Sequence, residues 1–158
     1  TMATERETSI MRTMLVEAEA STIWKALTRP ELTKLYMNGW MPQSSWKLGS
    51  EVVWMDHVEG TVNRRGWGTL RACIPERRLR YTLYRPDSKL PDEAPSYTTV
   101  DIVLDEERSG RTKVTLWHGD FAGLPNDVRR ARQAGREWVE ALVGLKRVAE
   151  EQEGKMAA

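Results

Sequence analysis

The longest regular hydrophobic pattern in the chain lies at residues 126–151, where Val128, Ala131, Gly135, Trp138, Leu142, Leu145 and Ala149 recur at three- and four-residue intervals. At about 100° per residue they share an arc of roughly 100°, so the segment predicts one long helix with a single buried stripe. Gly135 and Gly144 interrupt it, and a glycine in a helix interior costs about 1 kcal/mol relative to alanine. Gly135 falls on the stripe itself, where a missing side chain permits either close backbone contact or empty volume.

The rest of the chain alternates with period two. Residues 10–18 predict a first strand. Two short helices follow: Ser21 is placed to cap the first, with Ile23, Trp24 and Leu27 at helical spacing, and Pro30 opens the second, which runs to about Tyr36. Asn38 and Gly39 break the chain. Residues 41–46 predict a second strand, and Val52 and Trp54 share a face of a third. Residues 60–66 form a polar connection to a strand at 67–73, and Leu79, Tyr81 and Leu83 share a face of the next. The proline-rich segment 86–95 is expected to be a mobile loop. Val100, Ile102 and Leu104, a turn at Ser109 and Gly110, then Thr112, Val114, Leu116 and His118 form an antiparallel hairpin. The polar residues after Gln152 are expected to fray, so residues 2–152 form a single domain with a flexible tail at 153–158.

The order of strand, two short helices, about six strands and long helix is carried by recognisable stretches: ASTIWKALTRPEL at 20–32, WKLGS at 46–50, GTLRACIPERRLRYT at 68–82, the segment 100–121 ending in LWHGDF, and WVEALVGLKRVAE at 138–150. Together they resemble the START-like or Bet v 1-like (SRPBCC) superfamily. Within it they are similar to the single-domain relatives of the C-terminal domain of the Hsp90 ATPase activator (AHSA1-like). The resemblance implies an α+β helix-grip fold, a curved antiparallel sheet around the C-terminal helix, often enclosing a cavity for an apolar or amphipathic small molecule. It also implies three kinds of function found among relatives: ligand carriage, cyclase or hydratase chemistry, and chaperone contact in a stress response.

Composition narrows the partners. With 24 basic and 23 acidic residues the net charge is +1, so no overall field draws the chain to nucleic acid or to an anionic membrane. Arg129, Arg130, Arg132 and Arg136 read as a solvated helix face, and no apolar run is long enough to span a bilayer. Residues 1–9 lack the apolar stretch of a secretory signal, Thr1 reads as an addition ahead of a natural start at Met2, and a cytoplasmic location is expected. Cys73 is the sole cysteine, which excludes an internal disulfide and suits a reducing compartment. A monomer and a homodimer both remain open.

Candidate chemistry concentrates on the inner faces of the sheet and helix. Seven tryptophans accompany a single phenylalanine, and a buried indole N–H wants an acceptor, so Trp54 and Trp138 read either as core or as the lining of an amphipathic cavity. The expected lining is Val52, Trp54, Leu70, Tyr81, Leu83 and Ile102 from the first strands, then Val114, Leu116, His118, Trp138 and Leu142, with His118 and Tyr81 as polar anchors. His118 is either a proton donor or acceptor for a bound carbonyl, oriented by Asp120, or a strand-end histidine hydrogen-bonded to loop backbone. Asp56, His57 and Glu59 cluster at a strand end without metal-ligand spacing, so no metal is expected, and no phosphate loop, dinucleotide fingerprint or serine elbow is present, so no cofactor is expected.

Overall fold

A computed structural model describes residues 6–157; the expectation about Thr1 and Met2 lies outside them. Strand β1 (Ile10–Val16) leads into helices α1 (Ala20–Thr28) and α2 (Pro30–Thr33). Strands β2 (Met41–Gln43), β3 (Glu51–Val58), β4 (Thr61–Ile74), β5 (Arg78–Leu83), β6 (Thr98–Arg108) and β7 (Arg111–Gly119) follow, and helix α3 (Asp127–Ala157) ends the chain. All seven strands form one antiparallel sheet in the order β1-β7-β6-β5-β4-β3-β2. This is the expected α+β arrangement: a curved sheet, a long C-terminal helix and two short helices after the first strand.

Register breaks at Trp54/Met55, Leu70/Ala72 and Glu106/Arg108 supply the bulges that bend strands. Gly68 is required where β4 meets β5, because a Cβ there would lie 1.8 Å from the Thr82 carbonyl oxygen. The concave face buries Val52, Leu70, Leu79, Val100, Ile102, Val114 and Leu116 against Ala131, Leu142, Leu145 and Ala149 of α3, the core that the two periodicities predict.

Four local assignments differ from the sequence pattern. The polar segment 60–66 is strand rather than connection, since Glu59 and Gly60 alone turn the chain, both with positive φ as a tight hairpin turn demands. The tip of this β3–β4 hairpin is exposed on both faces, so polar–apolar alternation has no cause there; Asp56 instead holds it through Asn63 and Arg65. Ser21 lies inside α1 rather than at its cap. The capping position is Glu19, and the Glu19 amide and the Thr22 hydroxyl both donate to Glu153 Oε1 of α3, while the Ala20 amide donates to Glu106. Two carboxylates from distant segments thus meet the positive end of α1. That contact also accounts for the third difference: α3 continues to Ala157 instead of fraying after Gln152. The 86–95 segment is tied down as well, by Tyr84 Oη donating to the Leu90 carbonyl and by Trp67 Nε1 and Tyr97 Oη donating to Asp92.

Gly135 and Gly144 settle how α3 docks. A Cβ at Gly135 would meet Arg12 Nη2 at 2.6 Å and Ile10 Cγ2 at 3.3 Å, so this glycine serves close contact with β1 and not empty volume. A Cβ at Gly144 would stand 2.5 Å from Tyr36 Cβ, in the turn after α2. Because an arginine tip can move and a Cβ anchored to backbone cannot, Gly135→Ala should be neutral or stabilising by up to about 1 kcal/mol. Gly144→Ala should destabilise by about 1–3 kcal/mol despite the same helix gain. Urea denaturation of the two variants checks the contrast.

Candidate functional site

A cavity of about 820 Å³ opens between α3, the concave sheet and the 34–40 turn. Its floor carries Trp54 from β3, Tyr81 and Leu83 from β5 and His118 from β7, all buried. One wall is the α3 face from Ala134 to Arg147, including Trp138 and Ala141. The opposite wall is the turn from Lys34 to Trp40, where positive φ at Asn38 and Gly39 reverses the chain. The mouth is polar, with Lys34, Glu137, Glu140 and Arg147 exposed around it. Beneath it a recess of about 20 Å³, room for roughly one water, is closed by Leu79, Ile102, Leu116, Leu142 and Leu145. Tyr36, Met37, Trp54, Tyr81, Trp138 and Ala141 border both spaces and form the partition between them.

The expected lining divides three ways. Trp54, Tyr81, Leu83, His118 and Trp138 border the cavity; Ile102, Leu116 and Leu142 reach only the recess. Val52, Leu70 and Val114 border neither and are fully buried core. Period-two alternation selects the face of a strand but not how far along it the helix lies close, and these three sit where packing is closed. Tyr36, Met37, Trp40 and Arg85 are cavity residues that periodicity passes over, since they lie in a turn and at a strand end. Their signal in the sequence is a pair of aromatics flanking Asn38 and Gly39.

His118 is bound at both ring nitrogens. Trp138 Nε1 donates to Nδ1 at 3.0 Å, so Nδ1 is the acceptor and the proton sits on Nε2, which lies 2.8 Å from Thr98 Oγ1. The Thr98 hydroxyl in turn donates to the Leu83 carbonyl at 3.4 Å. The chain of donors runs from helix to sheet and ends on backbone. Burial first, and the positive charge of Arg85 second, push the His118 pKa from 6.5 down to about 3. The imidazole is therefore neutral, and neither the catalytic pair nor the backbone-bonded histidine describes it. Asp120 does not orient it: that carboxylate is exposed beyond the strand end, accepts from the Ala122 amide at 2.9 Å, and is not part of the cavity lining.

Arg85 joins three walls at the mouth. Its guanidinium bonds Asp87 through Nε and Nη2, pairs with Glu137 of α3 at 3.0 Å, and lies 5.0 Å from the centroid of the Trp40 ring. Burial holds the Tyr36 and Tyr81 phenols above their ordinary range, so both stay protonated. Tyr36 donates to the Ala26 carbonyl at 2.7 Å. Cys73 lies outside the cavity, with its thiol pushed up by burial. Asp56 is spent on Asn63 and Arg65, and among the described residues no group of three or more His, Cys, Asp and Glu side chains is placed to hold a metal ion.

The depressed His118 pKa has a pH signature. The unfolded imidazole takes up a proton as pH falls through 6.5 while the folded one does not until about 3. Stability is thus complete above the unfolded value and declines on acidification. Between pH 7 and pH 5 the loss should be about 2 kcal/mol from this group. His118→Gln should flatten that slope, and urea denaturation at the two pH values measures it.

Comparison with known proteins places these features in a family. The model for "Activator of Hsp90 ATPase homolog 1-like protein" matches residues 17–150. The solution structure of a Cytophaga hutchinsonii protein is 26% identical, covers 98% of this chain and 100% of its own, and superposes with a TM-score of 0.70. A Nitrosomonas europaea protein is 20% identical over 92% of this chain and 96% of its own, TM-score 0.69. The Aha1 dimer from Colwellia psychrerythraea is 16% identical over 87% and 92%, TM-score 0.61. No curated protein matches the sequence. No helix among the described residues is long and apolar enough to cross a membrane. With the family model spanning most of the chain and the helix-grip architecture in place, the chain belongs to the Activator of Hsp90 ATPase homolog 1-like family.

Proposed function

We propose that the protein binds a small hydrophobic or aromatic molecule in the cavity between the concave sheet and α3. The observation that carries this reading is the cavity itself, about 820 Å³ with a floor of Trp54, Tyr81 and Leu83 and a wall of Trp138. That volume falls in the range of small-molecule sites, with an apolar floor beneath a polar mouth. A ligand burying about 300 Å² of apolar surface gains about 7 kcal/mol before the cost of ordering it, which sets micromolar dissociation constants as the expected scale. The cyclase or hydratase alternative has less support, since both His118 nitrogens are engaged by Trp138 and Thr98 and Asp120 lies outside the cavity. Chaperone contact rests on the family's description, and purified Hsp90 tests it through stimulation of its ATPase rate.

Ala141 borders both cavity and recess, so Ala141→Phe should fill the space from the helix side. Titrating tryptophan fluorescence with a panel of bicyclic aromatic compounds should give saturable quenching for the native chain and none for Ala141→Phe, with helical circular dichroism unchanged. Absence of a saturable response from every member in the native chain sinks the reading.

A further inference from the structure

On this reading of the cavity as a ligand site, we propose that its occupant is an uncharged, largely planar molecule carrying a carbonyl-type acceptor that takes hydrogen bonds from the Tyr81 hydroxyl and the Trp54 indole. The two rings lie 5.7 Å apart between centroids, border the same cavity, and are 2% and 5% exposed. Trp54 Nε1 is buried and meets no acceptor in the protein. The Tyr81 hydroxyl has no hydrogen-bond partner among the described residues, while the neighbouring Tyr36 hydroxyl is committed to Ala26. Buried donors without acceptors are uncommon in folded chains because the desolvation cost is uncompensated.

The polar groups around them are already satisfied. His118 is held by Trp138 and Thr98, and Arg85 by Asp87 and Glu137. The floor therefore presents two free donors, the Trp54 N–H and the Tyr81 O–H, and no free charge. An incoming acceptor completes it, whereas a carboxylate brought to the floor loses its hydration with no unpaired cation beside it, since Lys34 and Arg147 stand at the mouth. Met37, half-buried on the partition, is the side chain whose rotation would open the way to Trp54 while the Trp138–His118 bond stays intact.

Three probes of nearly equal shape test this by calorimetry: 2-acetylnaphthalene, 2-isopropenylnaphthalene and 2-naphthoate. Burial alone favours the more apolar alkene, so a preference for the ketone reports the hydrogen bonds. The ketone should bind about 3- to 10-fold more tightly than the alkene, and more tightly than the carboxylate. Tyr81→Phe should remove most of that preference by weakening ketone binding alone. The indole N–H proton resonance that disappears in Trp54→Phe should move downfield with the ketone and stay in place with the alkene. Equal or tighter binding of the alkene overturns the acceptor assignment and leaves the cavity as a ligand site. Tightest binding of 2-naphthoate overturns the assignment of an uncharged ligand. If none of the three binds, both this inference and the ligand-site reading fall together.

Discussion

A buried hydrogen bond from the Trp138 indole to His118 Nδ1 ties helix α3 to the floor of the sheet and sets their separation at that point. Elsewhere along α3 small residues bring backbone close to its neighbours, with Gly135 against β1 and Gly144 against Tyr36. Between those two contacts a large indole stands edge-on to the His118 ring, with centroids 6.3 Å apart. A helix pinned at two close contacts and propped by an aromatic ring between them cannot collapse onto the strands beside the prop. The cavity occupies that space. Its volume follows from side-chain size at three helix positions rather than from sheet curvature alone.

The same bond dictates the electrostatic character of the floor. Because Nδ1 accepts from Trp138, the proton is fixed on Nε2 and passes the polarity on to Thr98 and then to backbone. Protonating this imidazole would forfeit a buried acceptor and place a cation near Arg85, so the neutral form persists well into acid. Charge is confined to the mouth, where Arg85 pairs with both Asp87 and Glu137 and ties strand end to helix. An uncharged floor behind a charged rim supports the proposed binding of an uncharged, largely apolar molecule.

Much of the candidate site is legible from residue type and period. Trp54, Tyr81, Leu83, His118 and Trp138 are placed at the cavity by alternation on β3, β5 and β7 and by the helical stripe. Val52, Leu70 and Val114 satisfy the same alternation and yet lie in closed core, since a face is a local property and distance from the helix is not. Trp40 and Arg85 escape notice because turns and strand ends carry no period. Asp120 follows His118 by two residues, which suggests partnership in an extended strand, but β7 ends at Gly119 and the carboxylate turns to the Ala122 amide.

Local chemistry in the sequence determined the element order, the face each strand and helix buries, the breaks at Asn38 and Gly39, and the family. These follow from backbone sterics and from burial of alternating side chains, both of which act over a few residues. Tertiary structure alone decided that Glu153 and Glu106 would cap α1, that both His118 nitrogens would be occupied, and that the buried Trp54 Nε1 would be left without an acceptor among the described residues. Each of those outcomes joins groups far apart in the chain, and their pairing depends on distances that only the packed fold sets.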